Sequence, residues 1–205
     1  MKATIITEHP IAYTSLDHTE PKGTKQDNTR NRLFIRAMKR KIGENINYAD
    51  WGCAGGAHVR DALESGMFAV GIEGSDYSLV NQRAEWAVIP DNLFTADLTK
   101  PFHFKDEEDN TIKFDAISCY DVLEHISEED LHALISNLNT NIKTGGYFIC
   151  GISAEEDPGY HVSHAFTEEW WNTLFSSYNY ELVDLLQPSE FGRYAIGHNL
   201  VYKKL

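Results

Sequence analysis

The sequence predicts an α/β protein, with helices covering both faces of a mostly parallel sheet. Three observations carry this prediction. Residues 46–75 run as strand, glycine turn, helix and strand, the pattern of a parallel β-α-β unit. Two further apolar runs, Asn92 to Leu98 and Phe114 to Tyr120, bring carboxylates (Asp97, Asp121) to strand ends, and segments that read as helices precede the first and follow the second. At 205 residues the chain can bury one sizeable core, and it is too short for two generous domains.

Taken in order, Ala3 to Thr7 fits a short edge strand as well as a disordered end. Residues 8–28 are rich in polar and turn residues, among them Asp17, His18, Pro21, Gly23, Thr24, Asp27 and Asn28. This composition suits a solvated leader or a loop folded over a site, and it sets residues 1–28 apart from a domain of residues 29–205. Asp27 or Asn28 is placed to cap a helix from about Thr29 to Lys41. Leu33, Phe34, Ala37 and Met38 share one face of that helix, and Arg30, Arg32, Arg36, Lys39, Arg40 and Lys41 lie elsewhere. The basic residues are either solvated or meet an anionic partner.

Tyr48 to Trp51 form the strand of the central unit, and Gly52, Gly55 and Gly56 break it. Ala57 to Glu64 then start a helix with Val59, Ala62 and Leu63 on its apolar face, and Met67 to Ile72 form a second strand ending at Glu73. Glycines let a ligand approach the backbone closely, and a following helix aims N–H groups at it. An acid about 20 residues on is placed to accept hydrogen bonds from a ribose diol. The unit is suited to a nucleoside.

Beyond it, Asp76 to Trp86 reads as a helix, Asn92 to Leu98 as a third strand, and Asp106 to Asp109 as a surface turn. Phe114 to Tyr120 is a fourth strand, and Ser127 caps an acidic first turn of a helix reaching about Asn141. Lys143 to Gly146 turn into a fifth strand, and Asp157 to His164 form a loop. The next helix carries Trp170, Trp171, Leu174 and Phe175, read as sheet-covering core, and Tyr180 to Leu186 and Gly197 to Lys203 close the sheet.

A net charge of −13 and pI near 5.0 argue against a nucleic-acid partner, which needs a basic surface. Cys53, Cys119 and Cys150 lie in three separate apolar strand contexts without a CxxC pair, which suggests buried, reduced thiols. No run approaches the roughly 18 apolar residues of a membrane span. The expectation is a soluble cytoplasmic protein with no membrane partner.

Ala49-Asp50-Trp51-Gly52-Cys53-Ala54-Gly55-Gly56 resembles the first motif of class I S-adenosylmethionine (SAM) dependent methyltransferases, with Ala54 where the family usually has glycine. Such a substitution demands a negative φ at Ala54. Asp97 matches the family's adenine-binding acid, which also suits a turn cap. The run Phe114 to Ile126, with its Asp-Val-Leu-Glu-His ending, is similar to the fourth-strand motif, and Lys143-Thr144-Gly145-Gly146 to the turn into strand five. The leader Asp17-His18-x-x-Pro21-x-Gly23-Thr24-x-x-Asp27-Asn28 also resembles that of a bacterial and phage group of these enzymes.

The resemblance implies a Rossmann-like three-layer sandwich, with seven strands and an antiparallel last strand. It also implies SAM held by Asp50, Gly52, Cys53, Ala54, Gly56, Glu73, Gly74, Asp97, Leu98 and Tyr120. Asp50 is expected to order the glycine loop's N–H groups or to meet the methionine amino group through water.

The expected acceptor is a hydroxyl of a small molecule or glycan, with a protein or tRNA methyltransferase as the alternative within the class. A SAM-binding regulator without catalysis stays open, whereas Asp50 and the later motifs argue against a nicotinamide oxidoreductase. Tyr120, Asp121, His125, His161 and His164 lie in two loops leaving the sheet on its carboxyl side. His161 is chosen as base, since His125 matches a position that often anchors the following helix. The His161-x-x-His164 spacing suits a metal, but two histidines without further ligands lead to the expectation of none.

Overall fold

The computed structural model describes residues 2–162, 166–192 and 197–205. Its strands are β1 (Thr4–Thr7), β2 (Asn47–Trp51), β3 (Phe68–Glu73), β4 (Leu93–Thr95), β5 (Phe102–Lys105), β6 (Thr111–Ile112), β7 (Phe114–Tyr120), β8 (Ile142–Ile152), β9 (Tyr180–Leu182) and β10 (His198–Lys204). Its α-helices are α1 (Leu16–Thr19), α2 (Lys22–Gln26), α3 (Arg32–Lys41), α4 (Ala57–Glu64), α5 (Tyr77–Val80), α6 (Glu128–Asn141) and α7 (Glu168–Ser176).

Seven strands form the central sheet in the order β4-β3-β2-β7-β8-β10-β9. β2 pairs in parallel with β3 and β7, β3 with β4, and β7 with β8, while β10 runs antiparallel to both β8 and β9. The topology is therefore the expected mixed sheet with an antiparallel last strand.

Strand alternation separates two cores. Tyr48, Ala116 and Tyr120 point to a face covered by α3 and α4, where Phe34, Met38, Val59 and Ala62 are buried. Ala49, Trp51, Ile117 and Cys119 point to the other, packed by Leu131, Leu134 and Leu138 of α6 and Trp171 and Phe175 of α7. Trp171 is fully buried, as expected of a sheet-covering residue. All three cysteines are buried and free, and burial pushes their thiols up.

Several local expectations need correction. β1 takes the edge-strand option, pairing antiparallel with β5, and β6 completes a three-stranded sheet that no sequence pattern marks. Helix α3 starts at Arg32, because Asn31 accepts from the Phe34 N–H at 3.1 Å and takes the cap expected of Asp27 or Asn28. This shift buries Ile35 and leaves Leu33 50% exposed.

The basic residues of this region largely meet the chain's own acids. Arg30 and Arg32 pair with Asp61 and Glu64, and Arg40 and Lys41 with Glu190. The single helix expected over Asp76 to Trp86 is instead α5 followed by a 3₁₀ turn, Ala84–Ala87. Gln82 and Ala84 there have φ of +46° and +51°, which no α-helix accommodates.

Candidate active site

The carboxyl ends of β2, β3 and β7, with the segment after β4, open onto a cavity of about 510 Å³. Ligand pockets for small molecules run from roughly 300 to 1,000 Å³. Of the SAM candidates, Gly52, Ala54, Glu73, Gly74, Asp97, Leu98 and Tyr120 line it.

The turn after β2 is shaped by contacts rather than by sequence pattern alone. Gly52 has φ +76°, and a Cβ there would collide with Val122. Ala54 contradicts the expected negative φ: it sits at +45°. Hydrogen bonds at both ends of the residue hold it there, its N–H donating to Glu73 Oε2 at 2.7 Å and its carbonyl accepting from Trp86 Nε1 at 2.8 Å.

Glu73 also accepts from the Ser75 N–H at 3.3 Å and from Thr24 Oγ1 at 3.4 Å. Burial pushes its carboxyl up to about 7 despite these donors. Asp97 takes the turn-cap role, its Oδ1 closing a turn with the Thr99 N–H and hydroxyl at 2.9 and 2.7 Å, and the residue also lines the cavity.

Asp50, Cys53 and Gly56 do not line this cavity. Asp50 and Cys53 face a much smaller space of about 20 Å³ beside it. Asp50 does not order the glycine loop's N–H groups. Its Oδ1 accepts from Ser118 Oγ at 2.5 Å, Ser118 bonds Tyr48 at 2.5 Å, and its Oδ2 lies 3.8 Å from His58 Nδ1. Gly56 is needed for packing, having φ +90° and Leu93 at 2.8 Å from the position of a Cβ. No sequence motif marks His58, which sits on helix α4.

Residues 12–27 lie across the cavity. Ala12 N–H donates to the Gly74 carbonyl at 2.9 Å, Arg83 donates to the carbonyls of Lys25 and Asp27 at 2.7 Å, and the Gly55 N–H donates to the Asp27 carbonyl at 3.1 Å. Tyr160 donates to the Glu20 carbonyl, and Lys22 Nζ lies 4.1 Å from the Tyr160 ring centroid. The lining is strongly acidic: Asp17, Asp27, Glu73, Asp97, Asp121, Asp130 and Asp157 face Lys22 as its one cation among the described residues, histidine aside.

Of the catalytic candidates, Tyr120, Asp121 and His125 line the cavity. His161 stands behind His125, ring centroids 4.9 Å apart, and its Nδ1 is 2.7 Å from the Glu155 carbonyl. His164 lies outside the described residues. His125 Nδ1 is 3.0 Å from the Tyr160 carbonyl and 3.7 Å from Asp17, and burial lowers its pKa.

Glu124, part of the fourth-strand motif but not among the candidates, is fully buried. It accepts from the Ser153 N–H at 2.9 Å, and burial pushes its carboxyl up to about 8. No helix among the described residues is long and apolar enough to cross a membrane.

A family profile described as a methyltransferase domain matches residues 24–202. No curated protein matches the chain in sequence. Among solved structures, the chain is similar to a TehB-like SAM-dependent methyltransferase from Corynebacterium glutamicum, with TM-score 0.61, 13% identity, and 91% and 94% of the two chains covered. It is similar to 1,6-didemethyltoxoflavin-N1-methyltransferase from Burkholderia thailandensis, solved with S-adenosylhomocysteine, at TM-score 0.60 and 16% identity, covering 92% and 84%. A third is CalS10, an amino pentose methyltransferase from Micromonospora echinaspora, at TM-score 0.61 and 12% identity, covering 91% and 96%.

Proposed function

The chain belongs to the family of methyltransferase domains, and we propose that it transfers the methyl group of SAM to a hydroxyl of a small molecule or glycan. The observation that carries this is the acidic cavity at the carboxyl ends of β2, β3 and β7. Its residues fit the cofactor: the buried Glu73 carboxylate stands at a strand end where ribose hydroxyls can donate to it, and surrounding acids complement a sulfonium cation.

When bound, SAM supplies a methyl carbon on an activated sulfur, so that attack by the acceptor oxygen breaks the carbon–sulfur bond and leaves its electron pair on sulfur. The chain's contribution is then alignment and proton removal. In this reading Gly52 and Ala54 leave room for the methionine end, and Glu73 and Asp97 fix the nucleoside. Residues 8–28 act as a lid that excludes water, held to the rim by Tyr160 and Arg83. The acceptor hydroxyl meets the wall formed by Tyr120, Asp121 and the His125–His161 pair, where it loses its proton as the methyl group arrives.

A small acceptor suits the arrangement, because the lid leaves a bounded cavity. The toxoflavin-precursor and amino pentose enzymes of similar fold also act on small molecules. The test is to incubate the protein with methyl-labelled SAM and fractionated cell extract. Label should enter low-molecular-weight or glycan fractions as an alkali-stable ether. Label confined to protein or RNA would contradict the acceptor assignment.

A further inference from the structure

We propose that Glu124, His125 and His161 form a binding site for a divalent transition-metal ion of the Zn²⁺ or Co²⁺ type at the wall of the cavity. The site refines the proposed function, and its role in catalysis rests on that reading. One carboxylate oxygen of Glu124 and one ring nitrogen of each histidine all lie within 4.8 Å of one another. Two imidazoles and a carboxylate are a donor set suited to such ions.

Each ligand is also oriented from behind. Carbonyl oxygens only accept hydrogen bonds, so the Tyr160 and Glu155 carbonyls place the protons of His125 and His161 on Nδ1. In that tautomer the ring lone pair lies on Nε2. Backbone carbonyls hold metal-binding histidines in this way. Glu124 is fixed by the Ser153 N–H on Oε1, and its backbone carbonyl accepts from the Val162 N–H at 2.7 Å.

Independent support comes from Glu124 itself. It is 0% exposed, and its Oε2 has no hydrogen-bond partner among the described residues. A buried carboxylate oxygen without a donor is costly, and a cation would satisfy it. Ligands about 2.1 Å from one ion sit roughly 3.4 Å apart in a tetrahedron. Closing the site therefore asks for at most about 1.5 Å of approach, which the loop of residues 153–162 carrying His161 can supply.

Three protein ligands leave a coordination position, and His125 lies on the cavity wall. An acceptor hydroxyl bound there would be acidified. Its proton passes to water at the cavity mouth as the oxygen takes the methyl group, so the histidines act by holding the cation rather than by taking the proton themselves.

The test uses the full chain without added histidine tags, stripped with a chelator and titrated with Co²⁺ while visible absorption is recorded. One equivalent should bind in the sub-millimolar range or tighter and be displaced by Zn²⁺. His161→Ala and Glu124→Gln should each weaken Co²⁺ binding by at least about tenfold, with His132→Ala, on the exposed face of α6, unchanged. Should Glu124→Gln fail to fold, His161→Ala carries the comparison.

Absence of stoichiometric Co²⁺ binding by the wild type, or equal binding by the variants, would overturn the site. SAM calorimetry on the same samples separates the two claims. Co²⁺ bound without SAM leaves the metal site standing and sinks the methyl-transfer reading, and SAM bound without Co²⁺ does the reverse.

Discussion

Burial holds the Glu73 carboxyl up at about 7, and Asp17 nearby pushes it in the same direction. An acid whose folded pKa exceeds its unfolded value binds more protons in the native state, so stability is lost as pH rises from about 4.5 to 7. Ribose hydroxyls donate to the ionised form, so SAM binding should lower this pKa and be favoured as pH rises. The expected result is a SAM dissociation constant that increases as pH falls from about 8 to about 6. Glu73→Gln should bind more weakly at the higher pH by about 1–3 kcal/mol and lose this pH dependence. Calorimetry giving flat, equal constants for both proteins would remove Glu73 from the ribose. The place of Glu73 at a strand end facing the cavity was legible, because an acid closing the strand after a glycine turn is a local pattern. Ala54 misled, since its positive φ is held by Glu73 and Trp86, partners 19 and 32 residues away. Asp50 is legible as a strand residue, while its Ser118 partner on the neighbouring strand is not.

Among elements, the strands of the central sheet were legible because apolar runs bounded by glycines and acids mark them. The Asp76 to Trp86 segment was not. Its composition tolerates a helix, but the turn at Gln82 to Ala84 lets Arg83 reach back to Lys25 and Asp27. Residues 12–27 gain their order in the same way, from contacts with Gly55, Gly74, Arg83 and Tyr160, which composition does not reveal. If this segment is a lid, occupancy of the cavity should slow its opening. Trypsin cleavage after Lys22 and Lys25, both exposed on α2, should be several-fold slower with saturating SAM than without it. Equal cleavage rates would mean that the segment does not respond to the cofactor.

At the scale of the molecule, two cores on opposite faces of one sheet fix the strand ends, and the strand ends fix the cavity. The arrangement concentrates carboxylates around one opening in a chain already at −13. Such a field favours a cation-bearing nucleoside and opposes the pyrophosphate of a dinucleotide. The most direct measurement is therefore calorimetric titration of the full chain with SAM and, separately, with NAD. One SAM should bind per chain in the low-micromolar range or tighter, with no NAD binding at the same concentrations. NAD binding as tightly as SAM would contradict it.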